Sequence, residues 1–116
     1  MSDITPKSLV EKLNKNPVEF STVISVIDAY YDFTPTQFTN GNLLNEANSN
    51  NGSCKVFSFA IEHSLSKQAT LNAFGDYYMI DVLQHPENDD HQNIRNFIEF
   101  GWEKIKFEGR ALTLKK

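Results

Sequence analysis

The chain has 116 residues, a formal net charge of −4 and 40% hydrophobic residues, which predicts one domain over 1–116 with a core that needs no disulfide. The single cysteine excludes an intramolecular disulfide and a cysteine-rich metal site, and the acidic balance means that a nucleic-acid partner is not expected. No apolar run approaches the roughly 20 residues that span a bilayer and no secretory signal pattern opens the sequence, so we expect a cytoplasmic protein without membrane association.

Two helices are predicted near the N-terminus. Thr5 followed by Pro6 is typical of an N-cap and a first helical residue, so a short helix begins there. A second helix is predicted over 17–30, because Asn16 precedes Pro17 in the same way and apolar residues then recur at helical spacing. Both helices are predicted to turn an apolar face to the core.

The middle of the chain changes character twice. Residues 33–38 are rich in β-branched and aromatic side chains, and Pro35 would confine a strand there to a sheet edge. Residues 39–53 are polar and rich in asparagine, and this stretch is longer than a plain connector, which predicts a mobile or functional loop. Two further helices are predicted to begin at their N-caps, Ser53 and Ser66.

The densest group of polar and aromatic side chains lies between His85 and Trp102. Within it, Asp90 is predicted to be the N-cap of a helix over 91–100, and Gly101 is predicted to end that helix. Histidines, acids, amides and an arginine crowd into this short stretch, so we expect it to contain the functional site.

The chain is predicted to end in a hairpin. Glu108 and Gly109 are typical of a two-residue turn between strands predicted over 104–107 and 110–114. A bare hairpin is marginally stable, so we expect the possible edge strand near 33–38 to join it. The sequence therefore predicts an α+β fold in which five or six short helices pack on a small antiparallel sheet.

Three strings of the sequence are unusual. They are NGSCKVF (51–57), AFGDYY (73–78) and DHQNIRNF (90–97), the last followed by Gly101 and Trp102. On these motifs the chain resembles the HopJ type III effector family over about residues 32–115. The resemblance implies no established enzymatic activity, and it implies that delivery through a type III secretion system is possible. The helix predicted at Thr5 differs from the long, serine-rich, unfolded delivery signals typical of such effectors.

The start of the helix over 91–100 favours anion binding, because free N–H groups and the helix dipole point there. The candidate ligand-binding residues are His85, His91, Gln92, Asn93, Arg95 and Tyr77. In the alternative interpretation, Asp90 caps the helix, while the amides and Arg95 tie the preceding loop to it by hydrogen bonds. The leading hypothesis is a binding protein whose partner is a small anionic ligand or another protein, with no cofactor.

Two enzyme hypotheses stand beside the binding hypothesis. In the first, Cys54 at a helix start is the thiol nucleophile of a hydrolase, with His85 or His91 as base and an aspartate such as Asp90 orienting that base. Core packing is the alternative for Cys54, because it shares an apolar helical stripe. In the second, His85 and His91 bind a catalytic metal ion with a neighbouring aspartate, although their spacing is not a recognised ligand spacing. No metal site is predicted, and the question of enzyme activity stays open.

Overall fold

The computed structural model describes residues 4–115 and confirms the predicted α+β fold. The helices are α1 (Pro6–Leu13), α2 (Phe20–Tyr30), α3 (Asn51–Glu62), α4 (Lys67–Asn72), a π-helix (Tyr77–Val82), α5 (Gln92–Phe100) and a 3-10 turn (Gly101–Lys104). The strands are β1 (Tyr31–Phe33), β2 (Phe38–Asn40), β3 (Leu43–Asn45), β4 (Ile105–Phe107) and β5 (Leu112–Leu114). No helix in this part of the chain is long and apolar enough to cross a bilayer.

Local signals place α1 where the sequence predicts it, whereas α2 begins later than predicted. Thr5 is the N-cap of α1 and forms a reciprocal capping box with Ser8. The second helix begins only at Phe20. The reason is tertiary, because the backbone N–H of Val18 donates to the backbone oxygen of Asn72 at 3.1 Å and this segment is held outside the helix.

The strands form two small antiparallel sheets. In the first, β1 pairs with β5, and Tyr31 lies opposite Leu114. In the second, β2 lies between β3 and β4, so that Phe38 is opposite both Asn45 and Phe107. The rings of Phe38 and Phe107 stack with centroids 4.7 Å apart. Each strand has only three residues, so side-chain packing of this kind contributes much of the stability of these sheets.

The predicted hairpin is wrong, although both of its strands exist. β4 pairs with β2 and β5 pairs with β1, and the two do not pair with each other. The backbone N–H of Glu108 donates to the oxygen of Gln37 (3.0 Å), and the N–H of Thr34 donates to the oxygen of Ala111 (2.8 Å). The predicted edge strand is likewise replaced by β1 and β2 on either side of Pro35, because proline has no N–H for a ladder.

Aromatic side chains fill the core where the helices meet the sheets. Phe57 on α3 is fully buried and contacts rings from several other segments. These rings belong to Phe38, Phe74, Phe97 and Trp102. The Phe57–Phe97 contact, with centroids 5.1 Å apart, holds α3 against α5, and the first turns of these two helices border one cleft.

Candidate functional site

The start of α5 has an uncommon backbone conformation. His91 is the N-cap and lies in the left-handed region (φ 50°, ψ 50°), which few residues other than glycine adopt. The prediction that Asp90 is the N-cap is wrong, because its carboxylate accepts a hydrogen bond from Arg95 at 2.6 Å instead. His91 makes no side-chain cap hydrogen bond, so the first N–H groups of α5 have no side-chain cap.

Asp81, Asp90, His91 and Arg95 form a group that we call the surface cluster. His91 Nε2 lies 2.9 Å from Asp81 Oδ2 and 3.9 Å from Asp90 Oδ2. Arg95 Nη2 lies 2.6 Å from Asp90 Oδ1. The hydrogen bond from Arg95 lowers the pKa of the Asp90 carboxyl, desolvation opposes that shift, and His91 adds to it. In the surface cluster each carboxylate therefore lies next to a basic side chain: Asp81 next to His91, and Asp90 next to Arg95.

Arg95 also ties the preceding loop to the helices. Its Nε donates to the backbone oxygen of Asp90 (2.6 Å), Nη1 donates to that of Pro86 (3.3 Å), and Nη2 donates to that of Asp81 (3.3 Å). The amide of Gln92 donates to the backbone oxygen of Asp89 at 2.5 Å. These hydrogen bonds agree with the alternative interpretation, in which the amides and Arg95 tie the preceding loop to the helix. Arg95 does not line the cleft described below.

A second polar group, the asparagine network, consists of Asn40, Asn45 and Asn93 and is buried. Asn45 and Asn93 exchange two side-chain hydrogen bonds, at 3.0 and 2.9 Å. Asn40 Nδ2 donates to both the backbone and the side-chain oxygen of Asn93, at 2.8 and 3.1 Å. The side-chain oxygen and nitrogen of Asn93 are thus engaged by β2 and β3, and its main contribution is to join α5 to the sheet.

The cleft lies between the first turns of α3 and α5 and has a volume of about 470 Å³. Its lining residues are Phe20, Leu43, Asn50, Gly52, Ser53, Phe74, Tyr77, His91, Gln92, Asn93 and Ile94. The ring of Tyr77 lies 5.0 Å from that of His91 and 5.1 Å from that of Phe20, measured between centroids. Of the predicted ligand-binding residues, the structure brings Tyr77, His91, Gln92 and Asn93 to this cleft.

The family model for the HopJ type III effector protein matches residues 6–112, which is nearly the whole chain. The chain belongs to the HopJ family. It is also similar to a solved structure described as "Crystal structure of unknown function protein VPA0580", with 53% sequence identity and a TM-score of 0.92. That likeness covers 99% of this chain and 95% of the other. No curated protein sequence matches the chain. The chain therefore has the HopJ fold, and these comparisons show no specific activity.

Cys54 lies in the core of this HopJ chain and not in the cleft. It is 2% exposed, and its Sγ donates to the backbone oxygen of Thr36 at 3.6 Å rather than to a histidine. Burial raises the pKa of the thiol, against the opposing effects of its hydrogen bonds to Thr36 and Ser58. A reactive thiolate needs a lowered pKa and access to solvent, so this environment favours core packing over nucleophilic catalysis. The predicted helix N-cap before it, Ser53, is also wrong, because α3 begins at Asn51.

His85 is an exposed loop residue that stands apart from the surface cluster. Among residues 4–115, the atoms arranged closely enough to share a metal ion belong to Asp81, Asp90 and His91, and all of them lie within 4.8 Å of one another. The sequence missed Asp81, because ten residues separate it from His91 and no periodic pattern joins the two. The sequence also missed Asn40, whose alternation with Phe38 was the available signal for a buried strand position.

Proposed function

We propose that this HopJ protein binds a small organic anion with an apolar body in the cleft between α3 and α5. The observation that carries the proposal is the meeting of two helix N-termini at one cleft. Helix N-termini present free N–H groups and a positive dipole end, which favour phosphate or carboxylate groups. Both N-caps, Asn50 and His91, make no side-chain cap hydrogen bond, so at neither helix start does the N-cap side chain occupy the first N–H groups.

The rest of the lining supports an apolar body on the ligand. Phe20, Leu43, Phe74, Tyr77 and Ile94 supply aromatic and aliphatic surface, while the hydroxyl of Ser53 and the amide of Gln92 are polar groups at the helix starts. Small-molecule sites typically combine a largely apolar wall with a few polar groups, in volumes of about 300–1,000 Å³. The volume of about 470 Å³ lies within that range.

Gly52 makes a close approach possible at this helix start. A Cβ added there would lie 2.8 Å from Cζ of Phe20, so a larger residue would displace that ring. Glycine therefore keeps the first turn of α3 close to an aromatic ring that lines the cleft, which supports a ligand with an apolar body.

The test compares phenyl phosphate with inorganic phosphate, by calorimetric titration and by amide chemical shifts. We expect saturable binding of phenyl phosphate, weaker binding of inorganic phosphate, and the largest shifts at Gly52, Ser53 and Gln92. Ser53→Asp places a carboxylate at the helix start, where the dipole stabilises the fold by about 0.3–1 kcal/mol and the charge repels an anion. Ser25→Asp, on the exposed face of α2, is the matched control.

Two results would overturn the proposal. One is the absence of saturable binding of either probe to the wild-type protein. The other is equal binding to Ser53→Asp and Ser25→Asp, since only the first change places a negative charge at the cleft.

A further inference from the structure

We propose that Asp81, Asp90 and His91 together bind one divalent transition-metal ion, either Zn²⁺ or Mn²⁺. The three ligand atoms lie within 4.8 Å of one another, with His91 Nε2 at 2.9 Å from Asp81 Oδ2 and at 3.9 Å from Asp90 Oδ2. Ligand atoms at about 2.0–2.2 Å from a tetrahedral zinc ion are roughly 3.4 Å apart. The cluster therefore reaches coordination geometry by small side-chain rotations.

The chemistry of the donor set selects the class of ion. Imidazole nitrogen suits zinc and other transition metals, carboxylate oxygen suits manganese, and calcium takes six to eight oxygen ligands. One imidazole and two carboxylates together match Zn²⁺ or Mn²⁺ better than Ca²⁺. The side chains of His91, Asp81 and Asp90 are 29%, 42% and 48% exposed, so an ion has a path from solvent and keeps water in its remaining positions.

Neighbouring groups orient the ligands. Arg95 takes Asp90 Oδ1 at 2.6 Å, which leaves Oδ2 of the same carboxylate on the side of His91. The ring of Tyr77 lies against that of His91, with centroids 5.0 Å apart, and limits its rotation. Asp81 projects from the π-helix, a conformation that occurs frequently at functional sites. Outer groups that hold the ligands in this way strengthen metal binding.

The competing explanation is a plain ion pair, in which a protonated His91 bonds to Asp81 and no metal binds. The metal proposal shares His91 with the anion proposal, but its probe is the metal alone and its other ligands, Asp81 and Asp90, do not line the cleft. Anion binding without metal binding, or the reverse, would separate the two.

The experiment titrates untagged full-length protein with ZnCl₂, MnCl₂ and CaCl₂ by isothermal calorimetry. We expect one equivalent of Zn²⁺ or Mn²⁺ to bind more tightly than Ca²⁺. Asp81→Asn, which keeps the size of the side chain and lies outside the left-handed backbone at His91, should weaken that binding by about tenfold or more. His91→Ala should do the same.

Two matched controls separate the site from general surface binding. Asp89→Asn and His85→Ala remove the same chemical groups from the exposed loop beside the cluster without changing a cluster residue, and they should leave the affinity unchanged. Circular dichroism and thermal unfolding of each variant check that it is folded. The absence of saturable binding, full affinity in Asp81→Asn, or an equal loss in His85→Ala and His91→Ala would each overturn the proposal.

Discussion

His91 and Asn93 are two residues apart at the start of α5, yet their polar partners lie in opposite environments. Asn93 is 6% exposed and bonds to Asn40 and Asn45, which are 0% and 1% exposed. The side chains of the surface cluster that face His91 are almost half exposed. The buried asparagine network and the exposed surface cluster therefore lie on either side of the start of α5.

Burial decides what each group can do. Inside a protein an unpaired donor or acceptor costs about 1–3 kcal/mol, and the side-chain amides of the asparagine network pair with one another except at Asn40 Oδ1, which is buried without a partner in the described part of the chain. These bonds stabilise one arrangement of α5 and the sheet. Carboxylates at the surface keep free lone pairs for water or an ion at little cost. We therefore expect the asparagine network to stabilise the fold and the surface cluster to bind a ligand. The following variants test this expectation.

The largest effect is expected for Asn93→Ala. The change removes the acceptor of Asn45 Nδ2 and one of the two acceptors of Asn40 Nδ2, while Asn45 Oδ1 keeps its bond from Asn50. Because the orphaned amide of Asn45 stays buried, the free energy of unfolding should fall by about 2–3 kcal/mol. Denaturant unfolding measures the loss. Gln92→Ala, an exposed neighbour on the same turn, is the control and should stay within about 0.5 kcal/mol of wild type. An equal effect of the two changes would contradict the assignment of the buried group to architecture.

An intermediate effect is expected for Arg95→Ala. Arg95 belongs to the surface cluster, but its side chain is only 13% exposed and it donates to three backbone oxygens, so the loss should be about 1–2 kcal/mol. Arg110→Ala is the matched control, because that arginine is 67% exposed and its ion pair with Glu62 should contribute less than about 1 kcal/mol. If the two losses are equal, burial is not what separates the roles of these arginines.

The smallest effect is expected from a half-buried histidine outside both groups. His63 Nε2 lies 2.7 Å from the hydroxyl of Tyr31, and burial lowers the pKa of His63 while Glu62 partly opposes the shift. A lowered pKa in the folded state means that the unfolded state binds the proton more readily, so the stability from neutral His63 is lost as the pH falls below about 6.5.

His63→Gln removes this titration and keeps a side chain that can accept a hydrogen bond. The free energy of unfolding, measured between pH 7 and 5, should therefore fall less steeply in the variant than in the wild type. Parallel pH profiles of the two proteins would show that partial burial at this position does not restrict protonation of His63. The conclusion that burial decides the role of a polar group would then not extend to His63.

Predictions that depended on neighbouring residues were confirmed in several places. Thr5 and Ser66 cap their helices through hydrogen bonds to residues three positions ahead, and Gly101 ends α5 with a positive φ of 67°. The prediction for Asp90 failed because a competitor lies five residues further along the chain: the guanidinium of Arg95 takes the carboxylate that the helix start would otherwise use.

The candidate site was predicted in part. The sequence located the start of α5 and placed His91 and Gln92 there, and both line the cleft. It indicated Gly52 and Ser53 only as part of the mobile or functional loop predicted over 39–53, and it did not indicate Asp81, because only the tertiary fold brings these separate elements to the cleft and to His91. The hypothesis that Cys54 and a histidine form a catalytic pair depended on their residue types alone, because nothing in the sequence indicates that the two side chains are close in space.

The sequence by itself determined the HopJ family, the α+β class, the starts of α1 and α4, and the end of α5. The tertiary structure decided the strand pairing and the division of polar side chains between the asparagine network and the surface cluster. A turn signal such as Glu108–Gly109 acts over a few residues, whereas β4 and β5 gain packing from β2 and β1, which are far away in the chain. Burial is a property of the assembled fold, and it is burial that makes Asn93 structural and leaves His91 available.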